Sequence, residues 1–307
     1  MRIIFMGTPD FAVPALQRLI DRKDQICGVF TQPDKPKGRG HKMQFSPVKE
    51  LALQYGLSVY QPDSLRDESV QSKIQQLGAD IIVVVAYGKI LPKSILDAPA
   101  LGCINVHGSL LPRYRGAAPI QWMVINGEKT GGITTMLLGD GPVDSGDILL
   151  TAETEIGPEE TAGELFDRLK LLGADLLDET LERLEQGTLK RIPQNHQEAT
   201  LAPMLTKEMS IINWEQPAKK IHDLIRGLNP WPCAAVKWND TRLKLLATQV
   251  MEGGGFPGRI SCQAGELVVD CGQGALRITE LQAENGKRMN GRDYLLGHPL
   301  VKDSYFQ

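Results

Sequence analysis

Asn105 and His107 stand two residues apart in the stretch Asn105-Val106-His107-Gly108-Ser109-Leu110-Leu111-Pro112, directly after the apolar run 101–104. Two residues apart in a strand means one shared face. At the carboxyl end of a strand in an open α/β sheet, such a face looks into the crevice where ligands bind. An amide N–H beside an imidazole suits a reaction in which a carbonyl oxygen gathers negative charge while an amine gives up a proton, which is acyl transfer. A solitary histidine near a buried strand is more often a hydrogen-bonded core residue, so its neighbours matter. Downstream, Asp140-Gly141-Pro142-Val143-Asp144-Ser145-Gly146-Asp147 offers three carboxylates in a turn-rich loop after a second apolar segment at 133–138. Any of the three is suited to orient and charge the imidazole.

Positioning such a group takes a sheet, and the chain in order supplies one. Residues 2–6 read as a buried strand, and 9–20 as a helix with the apolar stripe Phe11, Val13, Leu16, Leu19 and Ile20. Strand then helix opens a Rossmann-like unit. The turn between them is Gly7-Thr8-Pro9-Asp10, not Gly-x-Gly-x-x-Gly, and no Walker A sequence occurs, which argues against a dinucleotide oxidoreductase or a nucleoside triphosphate site. Strands follow at 26–30 and 57–60, with a helix over 46–55 that takes Ser46 as N-cap and Pro47 as its first residue. After a helix at 67–77, the run Asp80-Ile81-Ile82-Val83-Val84-Val85-Ala86 marks a strand buried on both faces, the centre of a parallel sheet. Its end, 87–92, forms another wall of the crevice.

A helix runs to Asn126, strands lie at 133–138 and 148–154, and a long amphipathic helix spans 161–186. Residues 190–208 lack apolar period and read as a linker. Beyond a helix at 217–227, five short segments at 234–238, 243–249, 258–263, 266–271 and 275–282 are strand-like and divided by Gly or Asn-Asp turns. The expected fold is α/β. A Rossmann-like, mostly parallel sheet flanked by helices fills 1–189, and a small C-terminal β-barrel like the oligonucleotide-binding fold fills 209–307.

Composition narrows the partners. The 307 residues are 42% hydrophobic and 23% charged, ordinary for a soluble protein. The opening apolar run is too short for a signal sequence or a membrane span, so a cytoplasmic protein is expected. Five cysteines without a Cys-x-x-Cys pair point to reduced thiols and to chemistry without a metal. The net charge of -3 hides an uneven distribution: residues 153–185 hold eleven acidic side chains against three basic, whereas 31–52 hold five basic against two acidic. An acidic helix away from a basic stretch would present polyanion to one face only. Within 31–42, Lys35, Lys37, Arg39 and Lys42 lie in a long Pro- and Gly-rich loop, suited to phosphates. Arg113 and Arg115 flank the polar cluster, either as surface anchors or to hold a ribose-phosphate or carboxylate.

Several of these stretches together carry a resemblance. They are Met6-Gly7-Thr8-Pro9-Asp10-Phe11-Ala12-Val13-Pro14, Gln32-Pro33-Asp34 with Gly38-Arg39-Gly40 and Ser46-Pro47-Val48-Lys49, and residues 105–112. Arg115-Gly116-Ala117-Ala118-Pro119-Ile120, Ala202-Pro203 with Leu205-Thr206-Lys207-Glu208, and Ile225-Arg226-Gly227-Leu228-Asn229-Pro230-Trp231-Pro232 complete the set. Over essentially its whole length the chain is similar to the folate-dependent formyltransferases, and within them to the branch that acts on methionyl-tRNA. The resemblance implies transfer of a formyl group from 10-formyltetrahydrofolate to the α-amine of initiator methionyl-tRNA. It implies Asn105, His107 and Asp144 as the catalytic set, with Ser109, Leu110, Leu111 and Pro112 against the folate and the 87–92 and 140–144 loops around the pterin. The basic loop would approach the acceptor stem and the barrel would hold the tRNA from the other side, the protein acting as a monomer with no membrane partner. Pro142 replaces a glycine common in the carboxylate loop, which leaves Asp140 in competition with Asp144. Asn213 and Cys233 also depart from the pattern, outside the chemistry. The alternatives are a formyltransferase for an amino sugar nucleotide or glycinamide ribonucleotide, and a non-catalytic RNA-binding protein.

Overall fold

The computed structural model describes residues 1–37, 42–300 and 304–306, and for Pro36, Lys37 and Lys42 it describes the backbone alone. The strands in chain order are β1 (Arg2–Gly7), β2 (Gln25–Phe30), β3 (Lys35–Lys37), β4 (Lys42–Gln44), β5 (Val59–Tyr60), β6 (Ile81–Val85), β7 (Cys103–His107), β8 (Thr130–Leu137), β9 (Ile148–Glu155), β10 (Ala234–Trp238), β11 (Thr241–Met251), β12 (Ile260–Gln263), β13 (Glu266–Asp270), β14 (Ala275–Ala283) and β15 (Arg288–Asn290). The helices are α1 (Val13–Asp21), α2 (Pro47–Gln54), α3 (Glu68–Leu77), α4 (Lys93–Leu96), α5 (Pro119–Ile125), α6 (Ala162–Glu185), α7 (Ala218–Gly227) and α8 (Gly291–Gly297). Two compact units form, one from Met1–Gly116, Gly132–Thr154 and Phe166–Leu201, the other from Ala117–Gly131, Glu155–Leu165 and Ala202–Gln307.

The first unit is built on a seven-stranded sheet in the order β5-β2-β1-β6-β7-β8-β9. Strands β5, β2, β1, β6 and β7 are parallel, and β8 is antiparallel to β7. The chain moves outward from β1 to β2 and β5, then returns to place β6 on the other side of β1. That reversal is the topological switch point of a Rossmann-like sheet. Every residue of β6 is buried, as an unbroken β-branched run requires when both faces are covered. Ser46 caps α2: its Oγ accepts the Lys49 N–H at 3.1 Å, and Pro47 opens the helix.

Two stretches differ from the sequence expectation. The segment 31–42, expected as a loop, carries β3, which pairs antiparallel with β4 in the register Lys35↔Gln44, Pro36↔Met43 and Lys37↔Lys42. A proline weakens any strand signal, yet a two-stranded ribbon consists of edges, where proline is tolerated. The polar tail after β14 adds β15 and α8, whose only local mark is Asn290, its Oδ1 accepting the Arg292 N–H at 2.9 Å.

The second unit holds an antiparallel sheet in the order β10-β11-β14-β13-β12, with β15 on β14. All five expected strands are present. The register of β11 with β14 shifts between Leu245 and Ala247 and again between Ala247 and Thr248. Such bulges bend a strand and raise its twist, the device by which a small sheet curls toward a barrel. Its core gathers Trp214, Ile225, Leu243, Leu267, Leu276 and Phe306. Helix α7 approaches α5 so closely that a Cβ on Gly227 would lie 2.4 Å from Ile125 Cγ1 and 2.9 Å from its backbone N. Among the described residues no helix is long and apolar enough to cross a membrane.

Candidate active site

Strand β7 carries Asn105 and His107, in register with Met136 and Thr134 of β8. His107 is 5% exposed, and its Nε2 lies 2.9 Å from the Tyr114 carbonyl. A carbonyl only accepts, so Nε2 carries the hydrogen. The other nitrogen, Nδ1, lies 3.6 Å from Asp144 Oδ2, and the two make an ion pair when the ring is protonated. Asp144 is held in turn by the Gly116 N–H, which donates to the same Oδ2 at 2.9 Å. Asp144 faces the ring, while Asp140 is exposed and 3.6 Å from Lys93 Nζ. Pro142 fits a turn closed by Ser145, whose Oγ donates to the Pro142 carbonyl at 2.7 Å. Among the described residues the half-buried Asn105 amide has no hydrogen-bond partner.

The turn 109–112 is braced from within. Ser109 is fully buried and its Oγ donates to the Arg113 carbonyl at 2.7 Å. Thr134 Oγ1 donates to the Ser109 carbonyl at 2.7 Å and accepts the Leu111 N–H at 3.1 Å. Ser109 and Leu111 therefore serve the turn, whereas Leu110 and Pro112 keep part of their surface exposed. On the neighbouring wall, Tyr87 is 2% exposed with its hydroxyl unpartnered among the described residues, and burial pushes its phenol up to about 12. Its carbonyl accepts from Thr8 Oγ1 at 3.2 Å and Gln32 Nε2 at 3.0 Å.

Of the four basic residues, Lys35 is exposed, Lys37 and Lys42 are described in backbone only, and Arg39 lies outside the described residues. The base of their ribbon is tied down. Lys49 Nζ donates to Asp34 Oδ2 at 2.5 Å and Gln61 Nε2 to Asp34 Oδ1 at 2.8 Å, and these hydrogen bonds hold the Asp34 carboxyl below the usual range. Arg115 corrects its expectation: it is 7% exposed and turned inward, with Nε and Nη2 on Gln194 Oε1 at 3.1 and 2.6 Å. It is neither a surface anchor nor open to a ligand anion. Gln194, Tyr114 and Gly116 went unread in the sequence, because two of them act through backbone groups and the third is a polar side chain buried by tertiary contact.

The chain matches the family model for formyl transferase over residues 1–181 and that for the formyl transferase C-terminal domain over 204–299. A methionyl-tRNA formyltransferase of Alkaliphilus oremlandii is 52% identical over 98% of both chains, and one of Acetivibrio thermocellus is 50% identical over 98% of this chain and 97% of its own. Among solved structures, an N-formyltransferase of Helicobacter canadensis in complex with folinic acid and dTDP-3-aminofucose superposes with a TM-score of 0.69 at 17% identity, over 90% of this chain and 98% of its own. HypX of Aquifex aeolicus in complex with tetrahydrofolic acid gives 0.65 at 16% identity, over all of this chain and 50% of HypX.

Proposed function

The chain belongs to the formyl transferase family, and from that premise we propose that it transfers a formyl group from 10-formyltetrahydrofolate to the α-amine of initiator methionyl-tRNA. The observation that carries the proposal is the Asn105 amide, unpartnered among the described residues and on the strand that also carries His107, whose ring faces Asp144. Relatives named for methionyl-tRNA match along the whole chain at about half identity, so the acceptor reading extends beyond the fold. The N-formyltransferase of Helicobacter canadensis, at 17% identity, speaks for the fold alone.

The site fits a folate-borne formyl donor: the Asn105 amide on β7 is unpartnered among the described residues, and Leu110 and Pro112 offer apolar surface on the turn that leaves the strand. When bound, the donor supplies an activated formyl carbonyl. Asn105 then donates to the carbonyl oxygen as negative charge develops there. His107 cannot offer Nε2, which is committed to Tyr114, so its contribution comes from Nδ1. With Nε2 carrying one hydrogen, Nδ1 carries another only in the imidazolium, whose positive charge then stabilises the oxyanion while Asp144, 3.6 Å from Nδ1, pairs with it. The acceptor amine, at or below an ordinary α-amine pKa of about 7.7 to 8.0, is neutral to about a tenth or more at pH 7 and about half or more at pH 8, and so needs little activation. As the amine bonds to the formyl carbon, the bond from that carbon to folate N10 breaks and the amine's proton passes to N10 through water beside Asp144.

Residues 1–189 would carry the chemistry. Lys35, Lys37, Arg39 and Lys42 on the ribbon and the barrel of 209–307 would hold tRNA phosphates, the protein working as a cytoplasmic monomer. The test is formyl transfer from 10-formyltetrahydrofolate to methionyl-tRNA, run beside uncharged tRNA, an amino sugar nucleotide and glycinamide ribonucleotide. Product on methionyl-tRNA alone is expected. Product only on a small amine would reassign the ribbon and barrel, and no product at all would leave an RNA-binding scaffold.

A further inference from the structure

One short segment holds both members of the His107–Asp144 pair. Gln194 is 7% exposed and its amide is fully engaged. Nε2 donates to the Asp144 carbonyl at 2.9 Å and to the Gly146 carbonyl at 2.6 Å, while Oε1 accepts the two Arg115 donors, which fixes the amide's orientation. Arg115 Nη2 also reaches His196 Nδ1 at 3.0 Å, and the Arg115 N–H donates to the Thr200 carbonyl at 2.8 Å. The Tyr114 N–H donates to Thr200 Oγ1 at 2.8 Å, and the Tyr114 carbonyl is the one that receives His107 Nε2. Residues 194–200 thus fix the backbone that bears the carboxylate and the backbone that fixes the ring.

We infer that Gln194 is a positioning residue for formyl transfer: by tying the 144–146 turn to Arg115 it sets the separation of Asp144 Oδ2 from His107 Nδ1. Asp144 sits at φ +54, a conformation that a non-glycine residue keeps when its surroundings over-determine it. The far end of the turn is equally constrained, since a Cβ on Gly146 would lie 1.8 Å from the Leu137 carbonyl oxygen. Between these ends two carbonyls converge on one donor. A primary amide supplies two N–H groups to them and still presents an acceptor to the guanidinium. The inference rests on Asp144 being the working carboxylate.

The experiment is single-turnover formyl transfer from 10-formyltetrahydrofolate to methionyl-tRNA at saturating concentrations, with KM for each substrate and a thermal melt as the folding control. Wild type is compared with Asp144→Asn, Gln194→Met and Gln194→Glu. Methionine keeps the volume and loses every hydrogen bond. Glutamate keeps a partner for the buried Arg115 but turns lone pairs toward both carbonyls, so it still decides the question if the methionine variant fails to fold. Both Gln194 variants should slow the single turnover by about 10- to 100-fold with each KM within about twofold, because a small misplacement harms chemistry more than binding. A folded Gln194→Glu protein with the wild-type rate, or with loss confined to KM, overturns the inference while Asp144→Asn remains inactive. Full activity in Asp144→Asn would instead remove the premise, and the inference with it.

Discussion

At the scale of residues, the site divides into donors left open among the described residues, the Asn105 amide and the Tyr87 hydroxyl, and several that are committed. Asn105 stands on the strand of His107, so truncating it should remove an interaction made only as charge develops. Asn105→Ala is expected to lower kcat by about 100-fold or more with KM for the folate nearly unchanged. Steady-state kinetics on both substrates checks this, and equal weakening of kcat and folate binding would argue against it. On the same strand, Cys103 is 1% exposed, and burial pushes its thiol up to about 12, with Asp97 adding to the effect. In the unfolded chain the thiol ionises near its ordinary value, about 8.5. Between about pH 9 and 12 the native state therefore holds a proton that the unfolded state has lost, and stability falls as pH rises through that window, by up to about 1.4 kcal/mol per unit. Urea midpoints measured from about pH 8 to 10.5 should decline less steeply in Cys103→Ala than in wild type.

At the scale of elements, two close fits can be probed without touching the chemistry. Ser46 was legible as a cap because serine before proline at the head of an apolar-periodic run is a local signal, and the hydrogen bond to Lys49 N–H bears it out. Ser46→Ala should cost about 1 kcal/mol in urea unfolding. Gly227 gave no such signal. A glycine at the last position of a helix reads as a terminator, whereas here it permits the approach of α5 to α7, and added atoms would meet Ile125. Gly227→Ala is expected to destabilise by about 1–3 kcal/mol, read as a lower urea midpoint at unchanged slope. A neutral result would show that the two helices separate freely.

At the scale of the whole molecule, the uneven charge distribution makes a prediction of its own. If Lys35, Lys37, Arg39 and Lys42 meet phosphates, binding of methionyl-tRNA should weaken by roughly 100-fold between about 50 and 200 mM salt, whereas the folate should show a shallow slope. Charge reversal at Lys35, which is exposed, should flatten the tRNA slope and leave the folate untouched. A salt-independent tRNA affinity would remove the ribbon from the interface. The sequence by itself determined the parallel sheet, because strands such as β6 announce burial on both faces through an unbroken β-branched run. It also determined five of the six strands of the second unit's sheet and the placing of Asn105 and His107 on one strand, since period and spacing are local properties of a chain. Tertiary structure alone decided that Asp144 rather than Asp140 faces the ring, and that Arg115 turns inward to Gln194. The physical reason is the same in each case: these partners lie 37 and 79 residues apart, and which polar groups meet across such a distance depends on how the sheet brings their loops together, not on any pattern within either loop.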